Sequence, residues 1–257
     1  MTVDQMHPAR AAATLVIFRD RPGEAAELLM MERSRSMDFA GGALVFPGGA
    51  VDADDAGPAE LFSHGLELEE AAARVAAVRE TLEECGLALG FSGGLEPALA
   101  TRLRARLAAG EGFAALLAEY ELALDLQQLV PFARWLPNVK HKRNYDTRFY
   151  LARLADDSHE PCADATENVS LFWASARDVL ARADRGDAKV IFPTRRNLER
   201  LAQFGDFASV SAHARSIAVR TITPWVEERG GIEHLCIPEG CGYPVTTEAL
   251  ATALRAL

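Results

Sequence analysis

The chain has 257 residues, of which 49% are hydrophobic and 25% are charged, an ordinary composition for a globular protein. This composition excludes a collagen, a disordered acidic tail and a small disulfide-stapled protein. The 37 acidic residues outnumber the 27 basic residues and give a formal net charge of -10. Because nucleic-acid binding needs the opposite balance of charge, we expect no nucleic-acid partner.

The cysteines and the lengths of the apolar segments predict the cellular location. The chain has four cysteines without framework spacing, which at this length is typical of a reducing compartment. No stretch reaches the roughly 18 apolar residues of a membrane helix. The apolar run at residues 11–18 is too short for a convincing signal peptide. We therefore expect a cytoplasmic protein that has no membrane partner.

The first third of the chain predicts short strands followed by one long helix. The expected strands are residues 13–18, 27–32 and 43–46. Residues 52–65 are acidic and rich in turn formers. Residues 67–85 then have a strong helical pattern, and Gly86 lies where a C-terminal cap belongs.

The rest of the chain predicts a mixture of helices and strands. Residues 97–120 indicate two helices that are interrupted near Gly110–Gly112. The further strands are expected at residues 129–136, 147–154, 169–173 and 234–237, and the further helices at residues 176–183, 194–204 and 209–218. Because strands and helices alternate only loosely, we expect a mixed sheet with helices packed on it.

The helix at residues 67–85 carries an unusual group of acidic side chains. One face is apolar and contains Val75, Val78 and Leu82, at a periodicity of 100° per residue. Glu80, Glu83 and Glu84 gather on the opposite side, where like charges repel by about a few tenths of a kcal/mol. Mg²⁺ takes oxygen ligands and would reverse that repulsion. Arg79 is spaced to reach Glu83. For this helix alone, a solvated acidic face remains the alternative.

A glycine-rich turn precedes the helix. Phe46-Pro47-Gly48-Gly49 ends a predicted strand, and its glycines allow the backbone to turn sharply and to approach a ligand closely. The carbonyl group of Gly48 is a candidate oxygen ligand for a metal ion. Taken alone, Pro-Gly-Gly is also an ordinary turn.

Together these segments resemble the signature of the Nudix hydrolases. That signature is a glycine, a spacer with an acidic residue, and then Arg-Glu-aliphatic-any-Glu-Glu-any-Gly-aliphatic. Residues 79–87 read Arg-Glu-Thr-Leu-Glu-Glu-Cys-Gly-Leu, with Thr81 at the usual aliphatic position. The spacer from Gly49 to Arg79 is longer than usual by about sixteen residues, which places an insert roughly at 55–70. The upstream acidic position stays open among Asp52, Asp54, Asp55, Glu69 and Glu70.

An interrupted signature resembles the Nudix subfamily of coenzyme A diphosphatases. Residues 29–49, with Arg33 and Gly49, partly follow the motif that precedes the signature in that subfamily, although Asp38 replaces its usual arginine. The resemblance implies an α+β fold, the Nudix α/β/α sandwich with a mixed sheet. We expect a single domain over residues 1–257, with a helical insertion at about 88–127 and a C-terminal extension at about 190–257.

The resemblance also implies a reaction and a set of site residues. The reaction is hydrolysis of a nucleoside diphosphate linked to another group, with Mg²⁺ or Mn²⁺ as cofactor. The implied metal ligands are Glu80, Glu83, Glu84 and the Gly48 carbonyl, with Glu80 alternatively helping to activate water. Arg79 would orient the site. Glu167 is the candidate for a further catalytic glutamate from a later loop, and Glu160 is the second choice.

The partner is expected to be a small-molecule nucleotide diphosphate, with coenzyme A or an acyl-coenzyme A as the leading substrate. The candidate substrate-binding residues are Arg33, Gly49, Lys142, Arg143 and Arg148, although an exposed hairpin turn equally explains the basic segment. ADP-ribose, NADH and dinucleoside polyphosphates are the alternative substrates. A module that binds a nucleotide metabolite without cleaving it is the alternative class, and a homodimer is left open.

Overall fold

The computed structural model describes residues 9–21, 23–34, 40–137, 144–154, 160–163 and 168–253. The strands are β1 (Ala9–Arg19), β2 (Glu27–Arg33), β3 (Leu44–Val45), β4 (Gly48–Ala50), β5 (Val130–Trp135), β6 (Asn144–Arg153), β7 (Asn168–Ser175), β8 (Thr221–Ile222), β9 (Trp225–Arg229), β10 (Ile232–Cys236) and β11 (Thr247–Ala249). The helices are α1 (Ala56–Phe62), α2 (Leu68–Cys85), α3 (Pro97–Ala108), α4 (Phe113–Glu119), α5 (Ala176–Asp184), α6 (Phe192–Leu201), α7 (Phe207–Ser216) and α8 (Leu250–Ala253).

The main sheet is mixed, as the sequence predicts. Its strand order is β3-β2-β1-β6-β5-β8, with β4 also paired to β1 and β7 to β2. The pairs β1–β6 and β5–β8 are parallel, and the other pairs are antiparallel. Along β1, Leu15 and Ile17 face one hydrophobic cluster, whereas Val16 and Phe18 face another. This two-residue period shows that both faces of the sheet are buried.

The glycine-rich turn fills a gap between the first two strands. Strands β1 and β2 pair at Phe18 with Leu28, and then they separate. Residues 44–50 enter the gap, with β3 bonded to β2 and β4 bonded to β1. The Leu15 N–H also donates to the Pro47 carbonyl at 2.8 Å. The two glycines of β4 are therefore held at a defined place on the sheet.

Helices cover both faces of the sheet and complete the predicted α/β/α sandwich. The first cluster combines the apolar face of α2 with buried side chains of α3 and α4. The second cluster contains buried side chains of α5, α6 and α7. The predicted interruption between α3 and α4 is present at residues 109–112. Within the described part of the chain, no helix is long and apolar enough to cross a membrane.

Two regions contain more structure than the sequence predicts. The acidic stretch at 52–65, predicted as turns, contains a short 3₁₀ turn at Ala53–Asp55 and helix α1. This helix is short and is held by the burial of Pro58 and Ala59 rather than by a helical pattern of its own.

The predicted late strand is β10, which forms a three-stranded antiparallel sheet with β9 and β11. Strand β9 is exposed at every residue and thus lacks the alternation that would predict it.

The helical insertion that the sequence predicts at about 88–127 is expected to unfold together with the core. Phe113 of α4 is buried and packs edge-on against Phe91, with ring centroids 6.3 Å apart. Phe113→Ala should lower the free energy of unfolding by about 3–5 kcal/mol in one cooperative urea transition. Circular dichroism and tryptophan fluorescence would follow the transition. Leu61→Ala, at an exposed position in α1, is the control and should change little. An early separate transition in the Phe113 variant would show that the insertion folds on its own.

Candidate active site

The acidic side of α2 is enclosed rather than solvated. Most residues of this helix are buried, including Glu84, which is 6% exposed. The side chain of Glu80 is 16% exposed and that of Glu83 is 34% exposed. The alternative of a solvated acidic face is therefore wrong. Buried carboxylates need partners, and the surrounding residues show what those partners are.

Arg79 is the first partner of the cluster. Its guanidinium donates from Nε to Asp55 Oδ1 at 2.9 Å and from Nη2 to Asp55 Oδ2 at 3.0 Å. It also donates to the Ala50 carbonyl at 3.0 Å, to Glu80 at 2.9 Å and to Glu83 at 3.2 Å. The contact with Glu83 confirms the predicted spacing. Burial lowers the pKa of Arg79, but the hydrogen bond to Asp55 and the neighbouring carboxylates outweigh it and raise the pKa above its usual value.

Among the acidic residues that the sequence leaves open, Asp55 accepts hydrogen bonds from Arg79, whereas Asp52 lies 3.7 Å from the guanidinium. Asp55 is fully buried and also accepts the Asp52 N–H at 2.8 Å. Asp54 instead accepts the Ala114 N–H, and Glu69 and Glu70 lie beside Arg148. The insert therefore follows Asp55 and leaves the stretch from Gly49 to Asp55 intact. That short stretch was the signal that could have selected Asp55.

Both glycines of β4 touch the acidic cluster. The Gly48 N–H donates to Glu84 Oε2 at 2.8 Å. Gly48 has φ +150°, and a Cβ there would lie 2.3 Å from the Ala13 carbonyl oxygen. A Cβ on Gly49 would lie 2.4 Å from the carboxylate carbon of Glu80. Glycine at position 48 thus permits β4 to lie close to β1, and glycine at position 49 permits β4 to approach α2 closely.

The electrostatics of the cluster suit a bound cation. Burial is the largest cause that raises the pKa of Glu80, and the charge of Glu83 adds to it. Arg79 acts in the opposite direction, and the resulting pKa is about 7. Burial also raises the pKa of Glu83. A nearby positive charge stabilises the charged form of such buried carboxylates, and hard divalent ions prefer oxygen ligands. The donor set therefore fits Mg²⁺ or Mn²⁺.

The glutamates do not point at one common centre. In the portion of the chain that the structure describes, no three acidic, histidine or cysteine side chains form a ready-made metal cluster. Glu80 and Glu83 accept hydrogen bonds from Arg79, whereas Glu84 accepts one from Gly48. The three carboxylates nevertheless lie on adjacent turns of one helix and share these few neighbours. Their side chains would have to rotate from these hydrogen bonds to meet at a shared ion.

The candidate substrate-binding residues fall into different places. Arg148 is buried in β6, so an exposed turn does not describe it. Its guanidinium lies 3.4 Å from Glu70 and borders a cavity of about 530 Å³. Arg33 ends β2, and its buried Nε has no hydrogen-bond partner among the residues that the structure describes. Glu160 is exposed. Glu167, Lys142 and Arg143 lie outside the described residues.

The mixed sheet between two helical layers, with a carboxylate-bearing helix against a Gly-Gly strand, defines a Nudix-type architecture. A crystal structure of a NUDIX hydrolase from Alicyclobacillus acidocaldarius superposes with a TM-score of 0.70 and is 30% identical, covering 80% of this chain and 97% of that one. The chain belongs to the Nudix hydrolase family and is accordingly a diphosphate hydrolase. No family model matches it.

Two curated relatives cover much of the chain. The acyl-coenzyme A diphosphatase NUDT19 of Gallus gallus is 26% identical over 280 residues, which include 84% of this chain and 74% of that protein. The putative nudix hydrolase 7 of Caenorhabditis elegans is 27% identical over 182 residues, which include 70% of this chain and 57% of that protein. The similarity thus extends well beyond the signature segment.

The two glycines of β4 should respond differently to an added methyl group. In Gly49→Ala the new Cβ meets the movable end of the Glu80 side chain, so the fold should survive. The kcat should fall by roughly 10²-fold, because the carboxylate of Glu80 is displaced. In Gly48→Ala the new Cβ meets backbone, so the Tm itself should fall. Thermal unfolding and steady-state hydrolysis would separate the two effects.

Gly57→Ala serves as the control for these variants, because nothing lies within 4 Å of a Cβ at that exposed position. It should leave both the Tm and kcat near the wild-type values. A Gly49→Ala enzyme with wild-type kcat would show that the contact between Gly49 and Glu80 has no role in the reaction.

Proposed function

We propose that the chain hydrolyses the diphosphate of coenzyme A or an acyl-coenzyme A in a reaction that depends on Mg²⁺ or Mn²⁺. The observation that carries this proposal is the enclosed cluster of Glu80, Glu83 and Glu84 against the Gly-Gly strand. A buried group of three carboxylates with one arginine is costly for the protein alone. The cost is understandable if a divalent cation and a diphosphate complete the site.

The roles of the residues follow from their positions. Glu83 and Glu84 would hold the metal ion, with the Gly48 carbonyl as a further oxygen ligand and Glu80 as a third carboxylate ligand or the acceptor of a proton from water. A bound Mg²⁺ or Mn²⁺ would neutralise charge on the diphosphate and lower the pKa of a bound water. Arg79 holds Glu80 and Glu83 in place through its hydrogen bonds. Glu167 remains the predicted glutamate from a later loop.

The overall reaction needs no other reactant than water. One water molecule adds across the P–O–P link, one P–O bond breaks, and the products are two phosphate monoesters. The proton that the water loses passes to a carboxylate or to solvent. The intact glutamates favour this turnover over the alternative of a module that binds a nucleotide metabolite without cleaving it.

One of the two relatives supports the choice of substrate. The Gallus gallus relative is an acyl-coenzyme A diphosphatase, and the similarity spans most of both chains. An ADP-ribose, NADH or dinucleoside polyphosphate hydrolase would use the same catalytic core, so these compounds are the competing substrates. A panel that contains all of them, assayed with Mg²⁺ and with Mn²⁺ and analysed by mass spectrometry, tests the proposal directly.

Each result of the panel has a clear meaning. Release of 4′-phosphopantetheine and 3′,5′-ADP from coenzyme A would support the proposed substrate and would identify the cleaved bond. Cleavage of ADP-ribose, NADH or a dinucleoside polyphosphate in its place would contradict the coenzyme A proposal while keeping the diphosphate chemistry. Activity that survives complete chelation of divalent ions would contradict the proposed cofactor.

The metal-ligand assignment predicts severe loss of activity in isosteric variants. Glu83→Gln and Glu84→Gln should each lower kcat by at least roughly 10²-fold, because an uncharged amide is a poor ligand for Mg²⁺ and Mn²⁺. Circular dichroism should be unchanged. Glu60→Gln, at an exposed position in α1, is the control. Wild-type kcat in either amide variant would remove that residue from the metal site.

The cavity beside Arg148 is the proposed place for a second phosphate group. Arg134 shares this cavity with Arg148, and Ile217 and Val219 supply an apolar wall. A phosphate monoester attached to an organic group needs this combination of cationic and apolar surface. The 3′-phosphate of coenzyme A is such a group. Lys142 and Arg143 remain predicted contributors to the same recognition.

Substrates with and without the 3′-phosphate test this pocket. Arg148→Ala should raise the KM for coenzyme A more than the KM for dephospho-coenzyme A, by roughly 10-fold, because only the former loses a charged hydrogen bond. Arg153→Ala, an exposed arginine on the same strand, should change neither constant. Equal increases for both substrates would show that Arg148 acts through its ion pairs with α2 rather than on the phosphate.

A further inference from the structure

The C-terminal end of α2 has a partner for each of its last four carbonyl groups. The end of a helix leaves its last four carbonyl groups without N–H donors from further along the helix. The Gly86 N–H donates to the Leu82 carbonyl at 3.0 Å, with Gly86 in the left-handed conformation at φ +71°. The Cys162 N–H donates to the Cys85 carbonyl at 2.9 Å. The two carbonyls between them belong to Glu83 and Glu84.

Arg104 of α3 binds both of those carbonyls. Its Nε donates to the Glu83 carbonyl at 2.8 Å, and its Nη2 donates to the Glu84 carbonyl at 3.1 Å. A Cβ on Gly86 would lie 3.3 Å from Arg104 Nη1, so glycine also leaves room for the guanidinium. A cation at this end of a helix is further stabilised by the helix dipole. Arg104, a residue of the helical insertion, therefore binds the backbone carbonyls of the two glutamates that are the proposed metal ligands.

The insertion holds Arg104 at a fixed place. Leu103 and Ala100 of the same helix are buried in the cluster that contains the apolar face of α2. Leu107, which follows Arg104, is buried in the same cluster, so the backbone of α3 is anchored on both sides of Arg104. A planar guanidinium with two parallel donors also fixes orientation more tightly than a single point contact.

We propose that Arg104 is a positioning residue for the reaction. Without it, the carbonyl groups of Glu83 and Glu84 lose the donors that Arg104 supplies, and helix ends that lose partners fray. Fraying at this turn would move the side chains of Glu83 and Glu84, because their direction depends on the local backbone. This inference rests on the proposed function of those glutamates. It assigns the insertion a role in the active site besides its contribution to the core.

Equilibrium binding of Mn²⁺, followed by the electron paramagnetic resonance signal of the free ion, tests the inference apart from turnover. Arg104→Ala should raise the Kd for Mn²⁺ by about 10–100-fold, the usual effect of losing a residue that orients metal ligands. It should also lower kcat. Arg104→Lys, which keeps a cation but loses the paired donors, should recover part of the affinity.

Two arginines of the same helix provide matched controls. Arg106 binds Glu111 and Glu119 within the insertion, so Arg106→Ala should lower the Tm and leave the Kd for Mn²⁺ unchanged. Arg102 is exposed, and Arg102→Ala should change neither quantity. If Arg104→Ala does not fold, as judged by circular dichroism, Arg104→Gln and Arg104→Lys carry the same comparison.

The outcomes distinguish this inference from the proposed function. An unchanged Kd in Arg104→Ala, or an equal rise in Arg106→Ala, would overturn the inference and leave the metal site in place. The second result would mean that any loosening of the insertion weakens the site. A wild-type protein that binds no Mn²⁺ would contradict the proposed function itself, and the inference with it.

Discussion

A buried guanidinium with five N–H donors must be surrounded by acceptors, because removing an unpaired charge from water costs several kcal/mol. Arg79 meets this requirement with acceptors from three parts of the chain, which are the 3₁₀ turn with Asp55, the Ala50 carbonyl after β4, and Glu80 and Glu83 of its own helix. The turn, the strand and the helix can satisfy this group only when they are assembled together. The placement of the acidic cluster therefore depends on Arg79.

The arrangement concentrates negative charge that a stable core would avoid. Glu80 is pressed against Gly49, and its raised pKa shows that burial opposes its charged form. The surrounding structure offsets this cost through the buried apolar face of α2, the glycine cap at Gly86 and the guanidinium of Arg104. Rigid support around a locally unfavourable group is typical of functional sites.

The sequence predicts features that are local. The helix α2 is predictable because apolar spacing, the acidic signature and Gly86 lie within one continuous segment. Asp55 stayed one of several candidates because the insert separates it from Arg79, although its short spacing from Gly49 was a signal for it. Arg104 could not be found either, since only tertiary packing brings α3 to the carbonyls of α2. Helix α1 was missed because burial, not pattern, holds it. The roles of Glu167, Lys142 and Arg143 remain predictions.

The insert within the signature changes chain length more than it changes the site. Lengthening a loop costs only about 0.6 kcal/mol for each doubling, so about sixteen extra residues cost roughly 1 kcal/mol. Burial of Pro58 and Ala59 in α1 stabilises the fold by about 0.8 kcal/mol for each buried methylene group, which is enough to offset this cost. The insert can therefore be tolerated while Asp55 still reaches Arg79. The site depends on the contact between Asp55 and Arg79 and on the close approach of Gly49 to Glu80. It does not depend on a fixed spacing of the signature residues in the sequence.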